Sequence, residues 1–226
     1  MKLKSGYFSR NLPMKRAFRA VPFLSLILGA ACASGGGSKP DPLSEAATLA
    51  GYAGRAVLVL PVQQVSENPG VSSSRSDQSL AFREMMDYEI RFAFGETPPA
   101  RWVFAPSIIA SSRRNIGVSA DPLKLAVEGL TEKLPEPEDP ISETLRTQVR
   151  QIVAVTDARY VLLPAYVRVF ERPNGTRRAT MRVVLIDARL AQVRWAEDVS
   201  TEPATALNRS AAAALAGRLA VMAGVR

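Results

Sequence analysis

The chain carries one cysteine, Cys32, and no histidine in 226 residues. Without histidine the commonest general base and a common metal ligand are missing. Ser-His and Cys-His activation of a nucleophile is excluded as well. With Cys32 engaged elsewhere, carboxylate chemistry or a Ser-Lys pair remains. Beyond Cys32 the only lysines are Lys39, Lys124 and Lys133. No disulfide can form within the chain.

The remaining candidates are weak as catalysts. Asp187 stands at a predicted strand end before a turn. A lone catalytic acid would need a partner carboxylate, which the sequence does not identify, and stabilising the turn is the simpler role. Glu136, Glu138 and Asp139 offer oxygen ligands for a hard cation. They lack calcium-loop spacing, and Pro135 and Pro137 stiffen them, so they read as a solvated linker. Gly51-Tyr52-Ala53-Gly54 precedes a strand, whereas phosphate loops follow one, so it reads as a bend. Arg172, Arg177, Arg178 and Arg182 cluster on a predicted hairpin, and Arg113-Arg114 form a second pair. Such charge could touch an anionic headgroup or an acidic partner, but solubilising charge at a strand edge is the simpler reading. Trp195 and Phe170 read as core. No residue set points to a catalytic centre, a metal or a cofactor.

Cys32 therefore carries the firmest chemistry. Residues 1–20 hold Lys2, Lys4, Arg10, Lys15, Arg16 and Arg19 and no acid. An apolar run follows, then Gly29-Ala30-Ala31 and the cysteine. Basic, apolar, small is the order of a secretory signal. The run is too short for a membrane span of roughly 20 residues. Leu28-Gly29-Ala30-Ala31-Cys32 resembles the lipobox of bacterial lipoproteins, with Leu28 four residues before the cysteine where three is usual. Met14 is an alternative start. The resemblance implies a signal peptide over 1–31, a diacylglycerol thioether on Cys32, cleavage before it and acylation of the new amine. Three acyl chains exceed the two signals that stable anchoring needs. Ala33, rather than Asp, after the cysteine implies transfer to the outer membrane. An ordinary cleaved signal and an uncleaved anchor are the alternatives.

Composition agrees with an exported domain. The formal charge of +8 is concentrated in the leader, because six of the 29 basic residues lie there without any acid. Residues 32–226 hold 23 basic against 21 acidic side chains, no footprint for nucleic acid. The 194 residues after Cys32 suffice for one core.

Several elements must position these residues. Ala33–Pro40, ASGGGSKP, is a flexible tether, and Asp41-Pro42 opens a short helix. Arg55–Val65 is a strand buried on both faces, with regular pairing stopping near Pro61. Ser66–Gln78 is a polar loop. Ser79–Phe94 is a helix with Phe82, Met85, Met86, Ile90 and Ala93 on one stripe. Arg83, Asp87 and Arg91 occupy another face at i, i+4 spacing, each pair contributing a few tenths of a kcal/mol. Gly95 and Pro98-Pro99 end that helix. Arg101–Ala105 is a short strand and Pro106–Arg114 a helical turn. Asp121-Pro122 and Asp139-Pro140 each read as a helix start, the second leading into a helix over Ile141–Val155. Tyr160–Glu171, Arg178–Asp187 and Gln192–Val199 form a β-meander whose first turn contains Asn174-Gly175. Thr201-Glu202-Pro203 caps a closing helix, Ala204–Met222, with Leu207, Ala211, Leu215 and Leu219 at four-residue steps.

Three phrases carry a second resemblance. They are Ala56–Val62 (AVLVLPV), Asp157–Leu162 (DARYVL), and Ile186-Asp187-Ala188-Arg189 with Val193-Arg194-Trp195. Together they resemble exported α/β domains. These are the amino-terminal domain of the Tol-system translocation protein, the curli-secretion lipoprotein, and the lipoprotein activators of penicillin-binding proteins. A glycine usual in the last turn is replaced here by Leu190 or Ala191. The likeness implies one α/β domain of the α+β type over 41–226. Its mixed sheet would have four or five strands, a carboxy-terminal meander and packed helices. It also implies a non-catalytic, membrane-anchored envelope lipoprotein. Its periplasmic domain would bind a protein partner or support an assembly on the periplasmic face of the outer membrane. A carboxylate-dependent cell-wall glycan hydrolase and a small-ligand or lipid carrier are the alternatives.

Overall fold

The computed structural model describes residues 49–52, 54–66, 77–95, 100–171, 177–201 and 208–224. The leader, Cys32, the tether, the helix expected at Asp41-Pro42, most of the Ser66–Gln78 loop, Pro98-Pro99, the Asn174-Gly175 turn and Glu202-Pro203 lie outside them.

After a 3-10 turn at Leu49–Tyr52 the chain builds a six-stranded mixed sheet. Its strands are β1 (Ala56–Val59), β2 (Gln64–Ser66), β3 (Arg101–Phe104), β4 (Tyr160–Glu171), β5 (Arg177–Asp187) and β6 (Gln192–Ser200). The order is β3-β1-β4-β5-β6, with β2 on the same side of β4 as β1. β1 runs parallel to β3 and β4, while β4, β5 and β6 form the antiparallel meander. The helices are α1 (Asp77–Phe94), α2 (Ala105–Arg114), α3 (Glu128–Glu132), α4 (Glu143–Ala154) and α5 (Arg209–Met222).

Two apolar layers sandwich the sheet. Phe82, Met86 and Ile90 of α1 and Leu215 and Leu219 of α5 pack over Val57, Val59, Leu162, Met181 and Leu185. Ile108 of α2, Leu130 of α3 and Leu145, Val149 and Ile152 of α4 cover Leu58, Val161, Leu163, Val184 and Ile186. The aliphatic run in β1 is therefore buried on both faces, as α/β packing requires. Each fully buried leucine contributes about 2 kcal/mol by transfer from water. In α5, Ala212, Ala216 and Ala220 are small enough to let its axis lie close to α1.

The first predicted strand is one extended path broken at Pro61. Leu60 N still donates to Leu162 O at 2.9 Å and Gln63 N to Pro164 O at 3.1 Å, so β2 resumes along the same edge of β4. That break is why the sheet has six strands.

Both Asp-Pro sites differ from expectation. Asp121 Oδ1 accepts from Leu123 N at 3.0 Å and closes a turn, and the helix begins only at Glu128. Pro140 forms a β-bridge to Gln192, and the following helix is capped by Ser142, whose hydroxyl accepts from Leu145 N. The closing helix is capped by Asn208 through Ala211 N, at 3.0 Å.

Candidate functional site

Three concave regions lie on the described surface. The first joins the carboxy-terminal end of α1 to β3. Tyr88, Arg91, Phe92 and Gly95 line it from the helix, and Ala100, Arg101, Trp102 and Phe104 from the strand, around about 630 Å³. Tyr88 is 58% exposed and Phe92 69%. The inward stripe of α1 buries Phe82, Met86 and Ile90, so Tyr88 and Phe92 form a second, outward stripe with four-residue spacing. Below them Phe94 is fully buried and meets Trp102 edge to face at 4.7 Å. Trp102 Nε1 is buried without a hydrogen-bond partner among the described residues. An unpaired buried donor costs about 1–3 kcal/mol, so it marks a place where an acceptor would be favourable. β3 is a sheet edge: β1 is its only strand neighbour among the described residues.

The second region, about 480 Å³, is lined by Gly51, Tyr52, Arg55, Arg159, Tyr160, Asp187, Leu190 and Arg194. Asp187 is the only acid among the described lining residues and is 2% exposed. Arg159 Nε and Nη2 donate to it at 3.0 and 2.6 Å, and Arg189 N and Leu190 N close the β5–β6 turn onto Oδ1. Burial alone would push the Asp187 carboxyl up, but the Arg159 bonds and turn amides outweigh it and hold it below the ordinary range. Asp187 is thus an ionised, fully engaged turn residue.

The third region, about 660 Å³, lies between β6 and α5 and includes Arg178, Glu197, Asp198, Gly217 and Val221. Its Asp198 is held by Arg182 through two bonds of 2.8 Å.

The other residues singled out in the sequence are dispersed. Glu136 pairs with Lys133 at 3.2 Å on the surface, and no group of three potential metal ligands occurs among the described residues. Of the hairpin arginines, Arg172 and the Arg177 side chain lie outside the description. Arg182 is no solvated edge charge. It is 7% exposed, stacks on Tyr166 at 5.0 Å and donates to Leu130 O at 3.1 Å as well as to Asp198. Arg113 and Arg114 are exposed in the last turn of α2. Trp195 is buried as expected, whereas Phe170 is 37% exposed near the end of β4.

Arg83 and Asp87 do not form a simple surface pair. Arg83 Nε donates to Val62 O at 2.8 Å, and Val62 N donates to Asp87 Oδ1 at 3.3 Å. They clamp the backbone where Pro61 interrupts the ladder. Burial pushes the Asp87 carboxyl up to about 7 against the pull of Val62 N and Arg83. Gln63 completes the junction, donating to Pro61 O and Pro122 O and accepting from Leu125 N. The aromatic ledge and the meeting of Tyr52 and Arg194 in the second cleft were not anticipated. The four-residue step from Tyr88 to Phe92 signalled the first. The second joins residues 142 positions apart and had no local signal.

No family model matches the chain, and no curated protein matches it. Among solved structures it is similar to the LpoB C-terminal domain from Escherichia coli. The identity is 16% and the TM-score 0.35, over 67% of this chain and 84% of that one. It is also similar to the PelC dodecamer from Paraburkholderia phytofirmans (13%, 0.33, over 77% and 90%). A third is lipoprotein GNA1162 from Neisseria meningitidis (14%, 0.30, over 66% and 81%). Likeness at this level transfers neither partner nor activity.

Proposed function

We propose that the chain is a non-catalytic, membrane-anchored envelope lipoprotein, held to the periplasmic face of the outer membrane through Cys32. Its α/β domain docks a protein partner on the ledge of α1 and β3. The observation that carries the docking is the ledge itself: Tyr88 and Phe92 are exposed beside a strand edge and a Trp102 Nε1 that have no further partner among the described residues. Exposed aromatics with a free edge are the ingredients of β-strand addition, in which backbone bonds give affinity and side-chain pockets give specificity. Arg91 and Arg101 flank the ledge, so the fitting partner is an extended, acidic and apolar segment of an envelope protein. The anchor rests on the basic-apolar-small leader and the single cysteine. The carboxylates in the second and third clefts include Asp187 and Asp198, both already engaged by arginine.

The test places a photoreactive amino acid at Phe92 in the full chain in intact cells, with Thr147 on the exposed side of α4 as control. One envelope protein should crosslink at 92, through an acidic segment identified by mass spectrometry, and not at 147. The amino-terminal peptide of the same material should begin at Cys32 and carry the mass of its acyl groups. Equal labelling at both positions overturns the docking face. A free thiol or a different start overturns the anchor.

A further inference from the structure

The cleft between the 3-10 turn, the starts of β1 and β4, and the β5–β6 turn is built almost wholly of donors. Tyr52 and Tyr160 form its floor, edge to face with centroids 4.7 Å apart, and both are buried. Arg55 Nη1 donates to Tyr160 Oη at 2.8 Å. Arg194 lines the cleft with Tyr52, and burial, opposed by that arginine, pushes the Tyr52 phenol up, so its proton stays on at neutral pH. The Tyr160 oxygen thus accepts from a guanidinium, which leaves its phenol proton able to donate. Arginine has donors only.

Arg194 reaches this place because β6 bulges. Leu185 pairs with Trp195 and Ile186 with Val193, which leaves Arg194 as the extra residue. Trp195 packs into one apolar layer and Val193 into the other, so the face alternation changes at Arg194. Bulges of this kind re-aim a side chain. Charge completes the picture. Arg55, Arg159 and Arg194 line the cleft against one carboxylate, and Asp187 is consumed by Arg159 and the turn amides. Two positive charges remain without a counter-charge among the lining residues. A carboxylate ligand would neutralise one of them. A phosphate monoester carries about two negative charges at neutral pH and only acceptor oxygens facing the donors.

We propose that this cleft is a phosphate-binding site. It would take inorganic phosphate or a phosphate monoester between Arg55 and Arg194, over the hydroxyls of Tyr52 and Tyr160. The volume of about 480 Å³ leaves room for a short organic substituent. A lipid headgroup and a free phosphate share this chemistry. The site is separate from the ledge of α1 and β3, so its fate is independent of the docking proposal.

The test is calorimetric titration of the full chain in non-ionic detergent with inorganic phosphate and, separately, with dioctanoyl phosphatidic acid. Saturable one-to-one binding of at least one probe is expected. It should weaken about tenfold or more in Arg55→Gln/Arg194→Gln, since charge-assisted bonds are lost. Tyr52→Phe/Tyr160→Phe keeps the packing and should weaken it about threefold or more, by loss of neutral hydrogen bonds. Arg113→Gln/Arg114→Gln, remote on α2, should bind as the parent does. Equal affinity for both probes supports a free phosphate ligand, and markedly tighter binding of the lipid supports a headgroup. No binding of either probe overturns the proposal. So does binding that survives both cleft variants, or that falls equally in the Arg113/Arg114 control.

Discussion

The two edges of the sheet are treated in opposite ways. At the β6 edge the segment after α3 folds back and seals the first half of the strand. Glu138 N donates to Val193 O at 2.7 Å, Val193 N to Asp139 O at 2.9 Å, and Ile141 N to Ala191 O at 3.1 Å. Farther along, Glu197 and Asp198 put charge on the strand, which discourages pairing with another chain. At the β3 edge no such strap is seen among the described residues, and the flanking side chains are aromatic. One edge is closed as part of folding. The other is short, four residues, and carries no strap among the described residues. An edge left open beside exposed aromatics is a liability unless something uses it. The difference predicts that damage at the β6 edge is felt in stability, and damage at the β3 edge in association.

The largest stability effect should come from Arg182→Ala. Arg182 lies opposite Asp198 across β5 and β6 and opposite Tyr166 across β4 and β5, so one side chain ties three strands. It also satisfies Leu130 O in α3. Removing it takes the Leu130 carbonyl's bond away and leaves Asp198, among the described residues, with only the long 3.5 Å bond from the Tyr166 hydroxyl. Breaking a buried pair costs about 3–5 kcal/mol, and the partial exposure of Asp198 sets the expectation near the lower limit, about 3 kcal/mol. A urea midpoint unchanged in Arg182→Ala would dissolve the idea that the β6 side is a structural edge.

A smaller effect separates the two halves by pH. Asp87 lies on α1 and grips Val62 beside the β1–β3 half of the sheet. Its folded-state pKa is about 7, whereas an unfolded aspartate titrates near about 3.9. The fold therefore binds this proton more tightly than the unfolded chain. Its contribution to stability is fully present below about pH 4 and is lost as pH rises through 7. Arg83 and Glu84 are the charged neighbours that act on it. Asp87→Asn keeps an acceptor for Val62 N and removes the titration. The parent should lose on the order of 2 kcal/mol between pH 5 and 8 that the variant keeps. Parallel urea midpoints across that range in both proteins would contradict the assignment.

Much of the meander was legible because its signals are local. β-branched residues and the Asn174-Gly175 signal in the sequence predict for β4 the bounds Tyr160–Glu171 that the structure has. The apolar steps of α1 likewise named its buried side. The Asp-Pro pairs misled because Asp caps turns as readily as helices. What decided Asp139-Pro140 was the edge of β6, more than 50 residues away in sequence. Arg83 and Asp87 fit an i, i+4 surface pair until Pro61 left the Val62 backbone without ladder partners. The Arg194 bulge has no compositional mark. At Ala191, φ is +59°, a left-handed conformation that favours glycine, so that turn needed glycine-like geometry without the residue that advertises it.

The smallest stability effect belongs to the open edge. Tyr88 and Phe92 are mostly exposed, so Tyr88→Ala/Phe92→Ala forfeits little burial within the chain. Tyr88 also meets Arg209 at 5.6 Å, a contact weakened by the exposure of both groups. The double variant should unfold within about 0.5 kcal/mol of the parent. Truncating two aromatic anchors at a docking centre costs about 2 kcal/mol or more in binding. Crosslinking to the envelope partner, with the photoreactive group moved to Arg101, should therefore fall by about tenfold or more. Retained crosslinking with an unchanged fold would remove the aromatic side chains from the interface and leave the β3 backbone to carry it. Lost stability with retained crosslinking would reverse the assignment of the two edges, because the aromatics would then be holding the fold together.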